Sequence, residues 1–284
     1  MSNVRTIHRL YIGGAFHRAA SGRAFDVHGP DGTVLASVAL AAGRDARDAV
    51  VAARAAFPAW SRVAGYDRGQ ALYRVAEVMD DHRGAFAAQV RHATGCSPET
   101  AQAEVEAAID RWTWYAGWAD KITQVRGTVN LVNGPLGTVS LPEPVGVTAV
   151  LAPQDSPLLG MVSVLAPVIA SGNTAVLLAS ELCPLPAVAF AGAVSAAALP
   201  GGVVNVLTGE VAEISPWLAA HQDVNAIDLA GAPGALADDL AVAAAGNLKR
   251  VVRFGSPDWT AEPGLERMFA TLETKTIWLP LRQG

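Results

Sequence analysis

Cysteine is nearly absent from this chain: Cys96 and Cys183 are the two among 284 residues. Two distant cysteines cannot frame a disulfide-stapled fold, and such usage fits a reducing compartment. Charge is sparse too, at 17% of residues with a net of −5. No stretch clusters Lys and Arg with interleaved aromatics, so nothing here draws in nucleic acid or an anionic membrane. The six histidines, His8, His17, His28, His82, His92 and His221, are scattered without metal-ligand spacing, and no metal is expected. The apolar stretch Leu158 to Ala170 is interrupted by Gly160, Ser163 and Pro167 and is too short to span a bilayer. Met1 to Leu10 mixes Arg5, His8 and Arg9 with polar residues and has no apolar targeting core. The expectation is a soluble cytoplasmic protein. There is no Walker loop, no G-x-S-x-G, no HExxH and no internal repeat. What the chain does have is a hydrophobic fraction of 51%, enough for a large core.

The pattern changes along the chain. Between residues 9 and 38, short apolar runs are punctuated by Gly13-Gly14 and Pro30-Asp31-Gly32, which predicts small antiparallel strands. Arg44 to Phe57 is Ala-rich and helical. Asp67 to Ala93 sets Leu72, Val75, Met79, Phe86 and Val90 at helical spacings and predicts one long helix. Ser97 and Pro98 open another, as N-cap and first position. Val125 to Leu131 and Leu136 to Leu141 flank Asn133-Gly134, a hairpin signal, and Pro142 and Pro144 are expected to interrupt the pairing. From Gly146 onward, apolar runs at 146–151, 174–178, 203–207, 226–229 and 250–254 alternate with helical segments at 158–170, 185–198, 211–220 and 234–245. That alternation predicts an α/β fold with a parallel sheet covered on both faces. Leu272 to Leu281, rich in Thr, Ile and Trp, predicts a final strand.

Several motifs in the second half resemble the aldehyde dehydrogenase superfamily. Glu143-Pro144-Val145-Gly146-Val147 is similar to that family's opening sheet strand, and Ala170 to Leu177 to its AGNTVVLK segment. Leu199 to Gly209 resembles LPPGVVNVVTG, His221 to Val224 resembles HPDV, and Gly246 to Val251 reads GNLKRV. Upstream, Tyr115 to Lys121 reads YAGWADK, and the tail Leu272 to Trp278 resembles the family's C-terminal assembly strand. The resemblance covers nearly the whole chain, in the family's order. It implies a Rossmann-like open parallel sheet with an N-terminal helical region, plus a projecting hairpin and C-terminal strand. Residues 1–124 and 145–256 would be the cofactor domain, and 125–144 and 270–284 the oligomerisation elements.

The departures shape the functional expectation. In the family a catalytic domain carrying the nucleophilic cysteine lies between GNLKRV and the last strand. Here Phe254 to Thr271 fills that interval and holds no cysteine. Val252-Arg253-Phe254-Gly255-Ser256 stands where the resemblance implies a general-base Glu. Asp155 stands where it implies an oxyanion-stabilising Asn, and an anion there would repel the developing charge. Cys96, in the turn before a helix, and Cys183, before Pro184, have no His-plus-carboxylate pattern beside them. No catalytic residue is assigned.

Cofactor-facing positions persist in part. The family's ribose-binding Lys is replaced by Leu178, while Glu181 remains, and its GS phosphate-binding step becomes Leu229-Ala230-Gly231-Ala232-Pro233-Gly234. Glu181, Gly231 and Gly234 are therefore the candidate cofactor-binding residues. Backbone N–H groups at that helix start can face an anion, although Pro233 removes one donor. Against this, Glu181 alone reads more readily as a solvated surface carboxylate, and the glycines as parts of a tight strand-to-helix turn. No cofactor is expected, with NAD the alternative.

By the same resemblance, residues 125–141 and 272–281 form a strand donor without a catalytic domain to receive a neighbour's. The chain resembles the partial, cysteine-lacking second half of the long two-part family members. A non-catalytic subunit assembling with a full-length aldehyde dehydrogenase is the leading expectation. An NAD(P)-binding oxidoreductase acting on aldehydes is the alternative, and a small-molecule module reusing the crevice a third.

Overall fold

A computed structural model describes residues 7–280 apart from residue 256. Five short strands open the chain: β1 (Ile7–His8), β2 (Leu10–Ile12), β3 (Ala15–His17), β4 (Ala24–His28) and β5 (Val34–Ala39). Helices follow: α1 (Gly43–Trp60), α2 (Gly65–Asp81), α3 (Arg83–Thr94), α4 (Pro98–Trp118) and α5 (Ile122–Arg126). Then come β6 (Thr128–Asn130), β7 (Leu136–Pro144), β8 (Val147–Leu151), α6 (Leu159–Ala170), β9 (Thr174–Leu178) and α7 (Leu185–Ala196). The remaining elements are β10 (Val204–Leu207), α8 (Val211–Ala220), β11 (Ala226–Asp228), α9 (Gly234–Ala244), β12 (Arg250–Val252), α10 (Glu266–Ala270) and β13 (Leu272–Pro280).

The central sheet has seven strands in the order β12-β11-β8-β9-β10-β2-β3. The first five run parallel. β8, β9, β10 and β11 are buried along their whole length and mostly apolar because helices cover both faces, and successive residues serve opposite cores. In β8, Val147, Ala149 and Leu151 face a core shared with α1, α8 and α9. Val150 and Ala152 face the other core, built with α2, α4, α6 and α7 around Trp112, Phe190 and Met161. The hairpin β2–β3 adds antiparallel to β10, so the N-terminal strands divide between two sheets. β1, β4 and β5 form a separate one.

Asparagines in the family-like motifs tie the sheet together at the strand starts. Asn173 accepts from Gly146 N–H at 2.9 Å and donates to the Thr271 carbonyl at 2.9 Å. Asn205 accepts from Gly13 N–H at 2.8 Å and donates to the Gly202 carbonyl at 2.9 Å. Both side chains are buried, and such satisfied groups fix register.

Three expectations need correction. The helix predicted over 67–93 is two helices, α2 and α3, broken at His82 with φ −109°. The break falls in the polar run Asp80-Asp81-His82-Arg83-Gly84, where no apolar position needs a continuous stripe. The first hairpin strand, predicted from Val125, begins at Thr128, because Val125 and Arg126 finish α5. Pro142 and Pro144 do not interrupt pairing: β7 runs through both, opposite Thr274 and Leu272 of β13. The reason is geometric. β6 pairs with β7 only as far as Ser140, so beyond it the other edge of β7 is open and a missing N–H there costs no ladder bond. β13, β7 and β6 form the third sheet, with β13 at its edge. The predicted last strand was drawn to residue 281, which lies outside the described residues.

Candidate functional site

Strand order reverses around β8, with β9 on one side and β11 on the other. In open α/β sheets the crevice at the carboxyl ends of such strands is where ligands bind. A pocket of about 380 Å³ lies there, walled by Gln154 and Asp155 after β8, Glu181 after β9, Val211 at the start of α8, and Ala230–Pro233 after β11. The fold thus brings Glu181, Gly231 and Asp155 together, as the sequence order implied. Gly234 stands just beyond Pro233 as the first residue of α9.

Each has a local task. The Glu181 side chain is exposed, yet its Oε2 accepts from Val211 N–H at 2.7 Å and caps α8. Gly231 donates its N–H to the Leu151 carbonyl at 3.0 Å. A Cβ on Gly231 would sit 2.0 Å from the Ala152 carbonyl oxygen, so backbone approach alone requires glycine. Gly234 faces open space, and the α9 start carries no side-chain cap. Leu178 is fully buried at the end of β9. No cationic side chain lines this pocket, whereas two carboxylates do.

Sequence reasoning missed Gln154. Its Oε1 accepts from Ser180 Oγ at 2.9 Å and Glu181 N–H at 3.0 Å, while its Nε2 donates to the Ala152 carbonyl at 3.2 Å. With a longer bond from Nε2 to the Gly231 carbonyl at 3.5 Å, one amide links all three crevice loops. The only signal was a lone amide in the strand-end loop Pro153-Gln154-Asp155-Ser156-Pro157. Also missed was Glu104 of α4, whose Oε1 accepts from Leu158 and Leu159 N–H, both at 3.2 Å, and so caps α6.

The Phe254–Thr271 interval forms the adjoining wall. A second pocket of about 310 Å³ shares Asp155, Ala230 and Ala232 with the first and is closed by Phe254, Pro257 and Trp259. The interval is fixed from below. Arg111 donates to the carbonyls of Trp259 at 2.9 Å and Ala261 at 2.8 Å, and to Ser163 Oγ at 2.7 Å. The Tyr115 hydroxyl donates to the Gly264 carbonyl at 3.0 Å, and burial pushes its pKa up to about 12. Arg267 pairs with Asp228 at 2.6 Å, with side chains 12% and 4% exposed. The same guanidinium lies 4.7 Å from the Phe254 ring and 5.4 Å from the Trp259 ring. Burial pushes the Asp228 carboxyl above the usual range, and Arg267 and the Ala230 N–H pull it back.

Neither cysteine lines either crevice pocket. Cys183 is half-buried with Sγ 3.5 Å from the Ala93 carbonyl oxygen. Burial, reinforced by Glu104, pushes its thiol pKa up. Cys96 is half-buried at the rim of the larger core.

A doubly wound sheet with a crevice at its reversal point defines the class of dinucleotide-fold proteins. The family model described as "Aldehyde dehydrogenase family" matches residues 16–253, and the chain belongs to that family. Cytosolic 10-formyltetrahydrofolate dehydrogenase of Homo sapiens is 33% identical over 259 residues, which are 87% of this chain and 28% of that protein. Mitochondrial benzaldehyde dehydrogenase of Antirrhinum majus is 34% identical over 247 residues, 86% of this chain and 46% of that protein. Among solved structures, HpcC from Thermus thermophilus superposes with a TM-score of 0.82 at 29% identity, covering 87% of this chain and 47% of that one. A putative aldehyde dehydrogenase from Burkholderia cenocepacia gives 0.81 at 31% identity, covering 86% and 49%. The chain therefore spans less than half the length of these relatives. No helix among the described residues is long and apolar enough to cross a membrane.

Proposed function

We propose that this chain is a non-catalytic aldehyde dehydrogenase-like subunit that assembles with a full-length aldehyde dehydrogenase in a structural or regulatory role. One observation carries the reading: between β12 and β13 the chain has only the cysteine-free interval Phe254–Thr271, docked on the sheet ends, while β13 presents an open edge. β13 is nine residues long, and every residue after Leu272 is exposed. Ile277, Trp278 and Leu279 are among the exposed large hydrophobics. Such an edge invites strand addition. A partner with its own unpaired sheet edge satisfies those backbone groups and covers Trp278.

The crevice supports the non-catalytic half of the proposal. A dinucleotide's pyrophosphate needs free N–H donors and positive charge. Gly231 N–H and the α8 start are already bonded internally, Pro233 has no N–H, and Asp155 and Glu181 add negative charge. The residues present do not fit the cofactor. The competing NAD(P)-binding reading draws on the uncapped start of α9 and the pocket beside it. Calorimetry with NAD and NADP separates the two: heat at millimolar cofactor favours the competitor, and its absence favours the subunit.

The deciding experiment is co-expression with the full-length aldehyde dehydrogenase encoded nearest to the chain, followed by mass measurement of the purified complex. A mixed oligomer is expected, and the double variant Ile277→Lys with Trp278→Lys should abolish it while leaving the circular dichroism unchanged. A chain that purifies as a stable monomer beside an unassociated dehydrogenase, or that releases NADH from an aldehyde unaided, overturns the proposal.

A further inference from the structure

Three arginines far from the crevice meet at one place, brought there by two independent strand registers. In the hairpin, Leu10 pairs with His17, and one step further sets Arg9 opposite Arg18. In the small sheet, His8 pairs with Val38 and Ala24 with Ala39, so Arg9 and Arg23 approach Ala39 from its two sides. Arg9, Arg18 and Arg23 line a single pocket of about 380 Å³, floored by Ala19, Gly22 and Ala39. No acidic side chain is among the lining residues. Among the described residues, none of the three guanidiniums has an ion pair or an aromatic partner.

The backbone beneath them is fixed. Gly22, at φ +68°, donates to the Ala19 carbonyl at 2.8 Å, and Leu40 N–H donates to the Arg23 carbonyl at 3.0 Å. Buried Asp45 accepts from Ala20 N–H and Ala42 N–H, both at 2.9 Å, so its charge is spent on the loop and on the start of α1. Like charges directly opposite in a strand pair are destabilising. A chain of net charge −5 that holds three unpaired guanidiniums together has concentrated positive charge where the fold itself does not use it.

We infer that this pocket binds a small anion bearing two or more phosphate groups. Guanidinium forks match phosphate oxygens in pairs, and three of them suit a multiply charged ligand better than a single carboxylate. The pocket has small-ligand dimensions, and the acidic remainder of the surface repels a long polyanion. A nucleoside triphosphate and free inorganic tripolyphosphate present the same chemistry.

The test is isothermal titration calorimetry on the full chain at low salt with ATP, inorganic tripolyphosphate and citrate. Binding of tripolyphosphate and ATP alike assigns recognition to the phosphate chain, and binding of ATP alone assigns it to a nucleotide; both support the site. Arg9→Ala, Arg18→Ala and Arg23→Ala should each weaken binding about tenfold, and Arg62→Ala, which removes an exposed charge elsewhere, should not. All four positions are on the surface, and unchanged thermal melting confirms folding. No heat with either phosphate ligand, equal binding of citrate, or binding indifferent to the three substitutions overturns the inference.

Discussion

The Phe254–Thr271 interval and strand β13 follow one another in the chain, and they treat their polar groups in opposite ways. The interval turns its carbonyls inward, where Arg111 and Tyr115 of α4 take them up, and Arg267 closes it against Asp228. β13 bonds to β7 along its whole length on one side, and no strand covers its other side among the described residues. The lesson is that a short connection can be as tightly integrated as a core helix. The adjoining strand is paired along one side only.

The sharpest way to break this comparison is to release the interval. Arg267→Ala leaves the Asp228 carboxylate buried without its partner, and a loss of about 3–5 kcal/mol in urea unfolding is expected. Replacing the pair together, Arg267→Met with Asp228→Leu, should recover most of it. The pH dependence sharpens the point. The folded-state pKa of Asp228 is raised, so its contribution to stability is fully present below the ordinary carboxylate value of about 3.9 and is lost as pH rises through the raised one. Without Arg267 that pKa climbs further, and the loss should extend to higher pH in unfolding curves taken from about pH 4 to 7.

Smaller effects follow in order. Gly231→Ala pushes a methyl group into the Ala152 carbonyl and should cost about 2–3 kcal/mol in denaturant unfolding. Tyr115→Phe removes the hydrogen bond to Gly264 and should cost about 1 kcal/mol, with faster amide exchange confined to the interval. Glu181→Ala uncaps α8 and should cost about 0.5–1 kcal/mol by thermal melting. None of these changes is expected to alter hetero-oligomer formation through β13. If Tyr115→Phe or Glu181→Ala abolishes it, the two regions are not independent.

Much of the fold was legible. The parallel strands announce themselves because sheets covered on both faces admit continuous apolar runs such as Ala175 to Leu178. Ser97 and Pro98 marked the start of α4, where Ser97 Oγ accepts from Thr100 N–H at 3.2 Å. The break at His82 was hidden because the apolar positions on both sides of it keep helical spacing. The tolerance of Pro142 was hidden because it depends on where a neighbouring strand stops. At the crevice, chain order placed Glu181 and Gly231 at the right strand ends. It did not reveal Gln154 or Arg111, because most of their partners are backbone carbonyls and N–H groups, which every residue carries, nor Arg267, whose partner Asp228 lies 39 positions away. Arg111 reaches Ala261 across 150 positions, a distance over which no local pattern operates.

The β2–β3 hairpin has a consequence for how the molecule comes together. Gly13 N–H is held by Asn205, 192 positions later, and Tyr11 pairs with Val206. During synthesis from the N-terminus, residues 10–17 emerge first yet have no sheet to join until β10 has been made. Long-range closure of this kind is slow, and until β10 is made the waiting residues 10–17 leave a nascent chain open to wrong pairing.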